Sequence, residues 1–195
     1  MTLKNCVAAD YCKGDDSIME ETLNTLLRNY GFNDHTRING SDIIVGQWVR
    51  LKCKFMCHNY AERAVCPPNT PSVEDCRAFF REYSTIYLIH FEKNAYHKNH
   101  DSEVFQDIDQ ALIELEKDLF YRGYYKVMMM PPTICHLCET CMSKREDCRH
   151  KDYARPTPEA FAVDVFKTVK KFGYPLEILS DYDSTMDRYA FLLLE

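Results

Sequence analysis

Four cysteines crowd into one short stretch of the chain, and this crowding constrains the structure more than any other feature. The stretch "PPTICHLCETCMSKREDCRHKDYARP", residues 131–156, holds four thiols within fourteen positions, at Cys135, Cys138, Cys141 and Cys148. A disulfide framework, a zinc site and an iron-sulfur cluster all use cysteines at this density. The rest of the sequence must decide among them.

Composition and chain ends argue against disulfides. A chain of 195 residues that is 46% hydrophobic can bury a core without cross-links. It has no apolar run long enough to span a membrane, and "MTLKNCVAADYCKGDD" lacks the pattern of a signal peptide. We therefore expect a cytoplasmic protein, in which ten cysteines indicate metal ligands or redox groups. The net charge of −6 argues against a nucleic-acid partner.

Helical periodicity is present in four segments. Apolar residues recur every three or four positions over 17–30, 72–83, 104–122 and 157–172. Ser72 and Thr157 have the residue type and position of helix N-caps, and glycines follow the other ends of three of these segments. We therefore predict four helices.

Strand-like patterns lie between and after these helices. Residues 48–55 alternate apolar and basic side chains, whereas 84–91 and 124–130 are rich in β-branched, aromatic or other apolar residues. "PLEILS" and "RYAFLLLE" (175–180 and 188–195) predict two short strands, paired through the polar turn between them. The resulting order is a mixture of helices and strands.

This order predicts an α/β (α+β) fold built as a single layered domain over residues 1–195, with a mixed β-sheet, packed helices and two cysteine-rich metal-binding loops. The domain divides into an N-terminal helical segment (1–45), a core with both cysteine motifs (46–175) and a C-terminal strand pair (176–195). Both cysteine groups follow predicted strands. We therefore expect them to meet at one edge of the sheet.

The spacing of the second cysteine group favours an iron-sulfur cluster. Cys-x2-Cys-x2-Cys places three thiolates on seven residues of loop, as in bacterial ferredoxins, and Cys148 supplies a fourth ligand locally. Zinc sites more often use two separated Cys-x2-Cys pairs. A 4Fe-4S cluster is therefore the main prediction, with zinc as the alternative.

The first cysteine group is looser and has three members, Cys53, Cys57 and Cys66. The Cys-Pro that closes it also ends the ferredoxin ligand run, so this group predicts a second cluster or a ligand shared with the first. Cys76 or His58 could add a fourth ligand, although Cys76 shares the apolar face of its predicted helix. With three cysteines, one iron would be open to a small molecule.

A basic side chain and two N-terminal cysteines are further candidate site residues. Among the basic side chains near the two groups, Arg155 is the one we predict to contact the cofactor, because Arg-Pro directly precedes the predicted helix cap. Cys6 and Cys12 lie in a segment without clear periodicity, and the sequence leaves them as extra ligands or free thiols.

Together, "LKCKFMCHNYAERAVCPPNTPS" and "CHLCETCMSKREDCRHKDYARPTPEAFAVDV" resemble the cysteine-rich prokaryotic family of predicted metal-binding proteins called domain of unknown function 2284. The resemblance covers roughly residues 45–175. It implies that the seven cysteines of the two groups are the metal ligands, that Cys6, Cys12 and Cys76 are peripheral, and that the protein belongs to anaerobic prokaryotic metabolism. This sequence lacks the glycine that follows the second cysteine of the family's first motif.

These patterns predict an iron-sulfur protein with one 4Fe-4S cluster and a second that is open at one iron. Such a protein would pass electrons to a redox partner protein, or bind a small-molecule ligand for redox or sulfur-related chemistry. No dinucleotide or phosphate-binding motif is present. The alternative from another class is a zinc-stabilised structural or interaction module. The sequence leaves open whether the protein is an enzyme and whether it forms a homo-oligomer.

Overall fold

The computed structural model describes residues 16–94, 101–178 and 185–195 of the chain. Two compact units make up the chain, residues 1–33 and residues 34–195. Within the described residues, no helix combines the length and the apolar character that a membrane crossing requires.

The first unit contains helix α1 (Asp16–Asn29), which confirms the first predicted helix. The helix ends at Gly31, whose φ of +85° is a conformation that glycine adopts without strain. The Gly31 N–H donates to the Arg28 carbonyl at 2.9 Å, and the Phe32 N–H donates to the Leu27 carbonyl at 2.9 Å. These bonds satisfy carbonyls that the helix end would leave without partners.

The second unit is built on a four-stranded sheet in the order β1-β2-β4-β3. Its strands are β1 (His35–Ile38), β2 (Ile86–Asn94), β3 (Met128–Met130) and β4 (Thr185–Leu193). The α+β class is confirmed, but every strand pair in the described residues is antiparallel, so the predicted mixed sheet is wrong. Alternation of helices and strands does not fix strand direction, because long connections allow either one.

Four helices accompany the sheet in this unit. They are α2 (Gln47–Met56), α3 (Val73–Arg81), α4 (Asp101–Tyr121) and α5 (Val165–Lys171). Ser72 caps α3 by accepting a hydrogen bond from the Asp75 N–H at 3.1 Å, as the sequence predicted. Short 3-10 turns at Gly40–Asp42 and Pro158–Phe161 connect these elements.

The core of the second unit lies between the sheet and two of its helices. Buried side chains of β2 and β4 pack there with side chains of α3 and α5 in one cluster, which includes Ile86, Leu88, Phe191, Leu193, Cys76, Phe80, Val165 and Val169. Burial of this apolar surface is the main stabilising term, at roughly 25 cal/mol per Å². The cysteine loops are attached to this layered core.

The strand predicted at 48–55 is wrong, because these residues form helix α2. Alternation of apolar and basic residues matched a strand, yet Leu51 and Phe55 are 45% and 74% exposed. In the helix, Val49 and Cys53 lie one turn apart on one face, and Val49 is buried. Arginine, lysine, leucine, methionine and glutamine, which fill most of this segment, are good helix formers.

The helix predicted over 157–172 is two elements. Thr157 caps a 3-10 turn that ends at Ala162, where φ is +60°, and Asp164 then caps α5 by accepting from the Lys167 N–H. Between them, Val163 forms a bridge with Val45. This bridge holds the chain extended and prevents one continuous helix.

Three strand predictions also change. Residues 124–127 are not part of β3, and residues 175–178 of the predicted "PLEILS" strand are outside the sheet, while 179–184 lie outside the described residues. The last strand pairs instead with β2 and β3. Strand β1 was not predicted, because "HTRI" is short and polar.

Candidate metal centre

The first cysteine group lies at the end of helix α2. Cys53 is in its last turn, Cys57 is its exposed C-cap residue, and Cys66 is buried in the following loop. The pKa of the Cys66 thiol is raised to about 11, mainly by burial and to a smaller extent by the nearby thiols of Cys57 and Cys53, whereas Arg63 opposes the rise. These mutual effects show that the three sulfurs share one neighbourhood.

The second cysteine group lies in the long loop after β3. Cys135, Cys138, Cys141 and Cys148 are all partly buried. Burial raises the pKa of Cys135 and the other three thiols add to the rise, while a hydrogen bond from the Leu137 N–H lowers it. The other three sulfurs are therefore each within electrostatic reach of Cys135, and a backbone donor points at the Cys135 sulfur.

The two loops contact each other. The Ala64 N–H donates to the Cys141 sulfur at 3.3 Å. The Asn69 carboxamide donates to the Ser143 carbonyl at 2.7 Å, and the Ser143 hydroxyl donates to the Glu62 carbonyl at 3.3 Å. The structure therefore brings the two cysteine groups together, as the sequence predicted.

The prediction that both cysteine groups follow strands is correct for the second group and wrong for the first. The second loop does leave the end of a strand, β3, but the first leaves helix α2. Helix α2 contacts the 3-10 turn Pro158–Phe161, and Arg50 secures this contact by donating to the Ala160 carbonyl at 3.1 Å and to the Thr70 hydroxyl at 2.8 Å. Arg50 thus positions the helix that carries Cys53.

The cysteine sulfurs and the N–H groups around them have the chemistry that a thiolate-ligated cluster requires. Seven cysteine sulfurs lie on two adjoining loops, and backbone N–H groups donate to two of them. Such N–H···S bonds stabilise the negative charge of cysteine-bound clusters. In the part of the chain that the structure describes, no three cysteine, histidine or carboxylate side chains are close enough to hold a single metal ion.

A cavity of about 310 Å³ adjoins the first cysteine group. Cys53, Cys57 and Cys66 all line it, together with polar side chains that include Asn59, Tyr60, His136, Thr157 and Arg188. A neighbouring cavity of about 440 Å³ also reaches Cys53 and Cys57. The three sulfurs therefore face space that a small molecule can occupy.

Arg155, the predicted cofactor contact, forms an ion pair inside the protein. Its Nε donates to both carboxylate oxygens of Glu116, at 2.9 and 3.1 Å. Burial raises the pKa of Glu116, and Arg155 opposes that rise. Arg155 also lines a cavity of about 390 Å³ together with Cys135 and Asp109. Its contact with a cofactor stays a prediction.

Of the other candidate ligands, one lies in the core, one lies next to the first cysteine group, and two lie outside the described residues. Cys76 is fully buried in the apolar core, where its sulfur is 4.0 Å from Arg50 Nη2, so it is the core residue that its helical position indicated. His58 is exposed beside Cys57. Cys6 and Cys12 lie outside the described residues.

Sequence reasoning missed two residues of the first cavity, Arg188 and Asn59. Arg188 begins an otherwise apolar C-terminal segment, and a charge at that position was a signal of proximity to a site. Asn59 is 8% exposed, which no local pattern indicates. Only the packing of β4 beside the first loop brings them together.

The fold and these loops define a class, the α+β proteins that carry a cysteine-rich metal site. The chain belongs to the family described as "Predicted metal-binding protein (DUF2284)", which matches residues 36–194. The match covers all seven cysteines of the two loops, so metal binding and cysteine richness are properties that the chain shares with its family. No curated protein and no solved structure matches it.

Proposed function

We propose that this protein is an iron-sulfur protein. Cys135, Cys138, Cys141 and Cys148 would hold one 4Fe-4S cluster, and Cys53, Cys57 and Cys66 would hold a second one with an iron free of protein ligands. The observation that carries the proposal is the gathering of the four thiols of the second loop, with backbone N–H groups donating to Cys135 and Cys141. This is how proteins bind cubane clusters.

The cavity beside Cys53, Cys57 and Cys66 supports the second part of the proposal. When bound, clusters supply one-electron redox chemistry, and an iron without a cysteine supplies a position for an oxygen or sulfur donor. The chain itself positions the sulfurs, donates hydrogen bonds to them and encloses the space beside them. Electron transfer to a redox partner protein, or redox chemistry on a small molecule, follows from this arrangement.

The setting of this chemistry is also part of the proposal. Three-cysteine clusters with an open iron are damaged by oxygen, because exposed iron and thiolates are readily oxidised. A reducing cytoplasm of an anaerobic prokaryote would protect such a centre. The proposal therefore expects a cytoplasmic protein whose metal content falls on exposure to air.

A zinc-stabilised interaction module is the second candidate, and one observation favours it. Phe55 and Met56 are 74% and 76% exposed on α2, next to the first cysteine group. Exposed apolar side chains of this size often mark a surface that binds a partner. In this alternative, closed zinc sites would hold the loops and α2 would bind another protein.

Cysteine variants test the proposal. In protein purified without oxygen, Cys148→Ala should lose the cluster of the second loop and Cys66→Ala the other, each about half of the iron and sulfide of the wild type. Cys76→Ala is the matched control, because Cys76 lies in the core and should leave the metal content unchanged. Equal loss in all three variants, or iron unaffected by the first two, would contradict the ligand assignment.

A further inference from the structure

Arg188 is a half-buried cation without an ion-pair partner among the described residues. It lies in β4, opposite Phe91 of β2, and lines both cavities that reach Cys53 and Cys57. Its Nε is inaccessible to solvent and has no hydrogen-bond acceptor, and no described residue forms an ion pair with its guanidinium. An inaccessible N–H without an acceptor is costly, and it belongs to a positively charged group, so an anion is the natural occupant of the space beside it.

The side chain of Asn59 provides an independent indication. It is 8% exposed, lines the same cavity of about 310 Å³, and its carboxamide has no hydrogen-bond partner among the described residues. This carboxamide is therefore available to a water or a ligand in the cavity. Tyr60 brings a phenol to the same cavity. A guanidinium, an amide and a phenol thus supply hydrogen-bond donors to one space.

The shape and the remaining wall restrict the ligand. Pro67, Pro132, Ile134 and Ala160 form an apolar part of the cavity. A cluster on the three cysteines would fill part of its volume of about 310 Å³, so the space that is left suits only a small ligand. Glu159, which also lines it, is exposed and disfavours ligands of high negative charge. A planar carboxylate suits the fork of an arginine better than other small anions, because two parallel N–H···O bonds can form.

We infer that this cavity binds a small carboxylate, with Arg188 as its ion-pair partner and Asn59 and Tyr60 as hydrogen-bond donors. The inference rests on the proposed function in one respect. The part of the ligand beyond its carboxylate is placed beside Cys53, Cys57 and Cys66, where the open iron would be. Recognition of the carboxylate itself depends only on residues of this chain.

Calorimetric titration of the protein purified without oxygen tests the inference. The probes are acetate, lactate, malate and the neutral match lactamide. We expect at least one carboxylate to bind with a Kd below about 1 mM, and lactamide not to bind. Arg188→Ala should weaken binding at least about tenfold and Arg188→Lys by less, because lysine keeps the charge but not the fork. Arg122→Ala, which removes an exposed arginine paired with Asp118, should bind as the wild type.

Iron and sulfide measured on the same samples separate the two proposals. A protein that binds carboxylate but lacks iron and sulfide contradicts the proposed function and leaves the carboxylate site standing. A protein with full clusters that binds none of the three carboxylates, or whose Arg188→Ala variant binds them unchanged, overturns the carboxylate site alone. Where Arg188→Ala fails to fold, Asn59→Ala and Tyr60→Phe provide the same comparison, with weaker binding expected in each.

Discussion

One side chain of α4 shows how strongly burial changes ionisation next to the second cysteine loop. Asp109 faces the cavity that Cys135 and Arg155 also line, together with Asp107, His136 and Tyr153. One of its oxygens accepts a hydrogen bond from the Thr133 hydroxyl at 2.9 Å, and the other is buried without a partner. Burial raises the pKa of Asp109 from 3.8 to about 7, although the Thr133 hydrogen bond lowers it.

Stability should therefore fall as the pH rises through the pKa of Asp109. A folded-state pKa above the unfolded value means that the stabilisation is complete below about pH 4 and is lost as pH rises through about 7. Between pH 6 and pH 8, the wild type should lose about 1 kcal/mol relative to Asp109→Asn, measured by urea unfolding without oxygen. A constant difference between the two proteins over that range would show that Asp109 is already ionised at pH 6.

The 3-10 turn Gly40–Asp42 packs closely against the end of α3, and this packing depends on Gly40. A Cβ on Gly40 would lie 1.8 Å from the Phe80 carbonyl oxygen of α3 and 2.6 Å from the Tyr83 carbonyl oxygen. Both contacts are with backbone, which cannot move aside without displacing α3. The Gly40 N–H also donates to the Tyr83 carbonyl at 2.9 Å.

Gly40→Ala should consequently destabilise the protein by at least about 2 kcal/mol, seen as a lower Tm by about 5 °C or more. Gly46→Ala is the matched control. Its added Cβ would come within 2.9 Å of the Trp48 side chain, which is 47% exposed and free to shift, and would lie at an ordinary contact distance of 3.6 Å from the Val49 side chain. Equal losses in Tm from both substitutions would contradict the close approach at Gly40.

Helix α2 shows where reading elements from sequence fails and why. Its alternating apolar and basic residues satisfied the strand pattern, yet the packing of Val49 into the interior and the bonds of Arg50 select a helix. Helices α3 and α4, with clear periodicity, were predicted within a few residues of their observed ends. Short elements such as β1 depend on pairing with distant residues, which no local pattern contains.

Across the protein, the candidate site depends on two loops that are far apart in sequence and joined by few bonds. Asn69 is the central link, because its carboxamide donates to the Arg63 carbonyl of its own loop at 3.2 Å and to the Ser143 carbonyl of the other at 2.7 Å. The site should therefore loosen when this side chain is shortened.

Asn69→Ala should cost about 1 kcal/mol, since it removes both part-buried hydrogen bonds and leaves the Ser143 carbonyl without this donor, whereas the Arg63 carbonyl still accepts from the Cys66 N–H at 3.0 Å. Limited proteolysis should cut both cysteine loops faster than in the wild type, because local opening becomes easier. Asn33→Ala, an exposed asparagine whose carboxamide donates only to Gly31 at 3.4 Å, is the control and should be cut at the wild-type rate. Faster cutting confined to one loop would mean that Asn69 does not join them.

The extent to which the site was predictable follows from the same organisation. Cysteine spacing indicated both groups, and the structure brings the two loops together. The cavity and its Arg188 and Asn59 were missed, because they arise where β4 passes beside the first loop. Arg155 was singled out for its neighbour Pro156, whereas its observed partner is Glu116, a contact between residues 39 positions apart.

Iron, zinc and acid-labile sulfide per chain, measured on protein purified and kept without oxygen, test the central claim most directly. Two cubane clusters predict about eight iron and eight sulfide per chain, with little zinc and a brown colour from thiolate-to-iron charge transfer. Zinc without sulfide in a colourless protein would contradict the account, and would make the cysteine loops structural zinc sites.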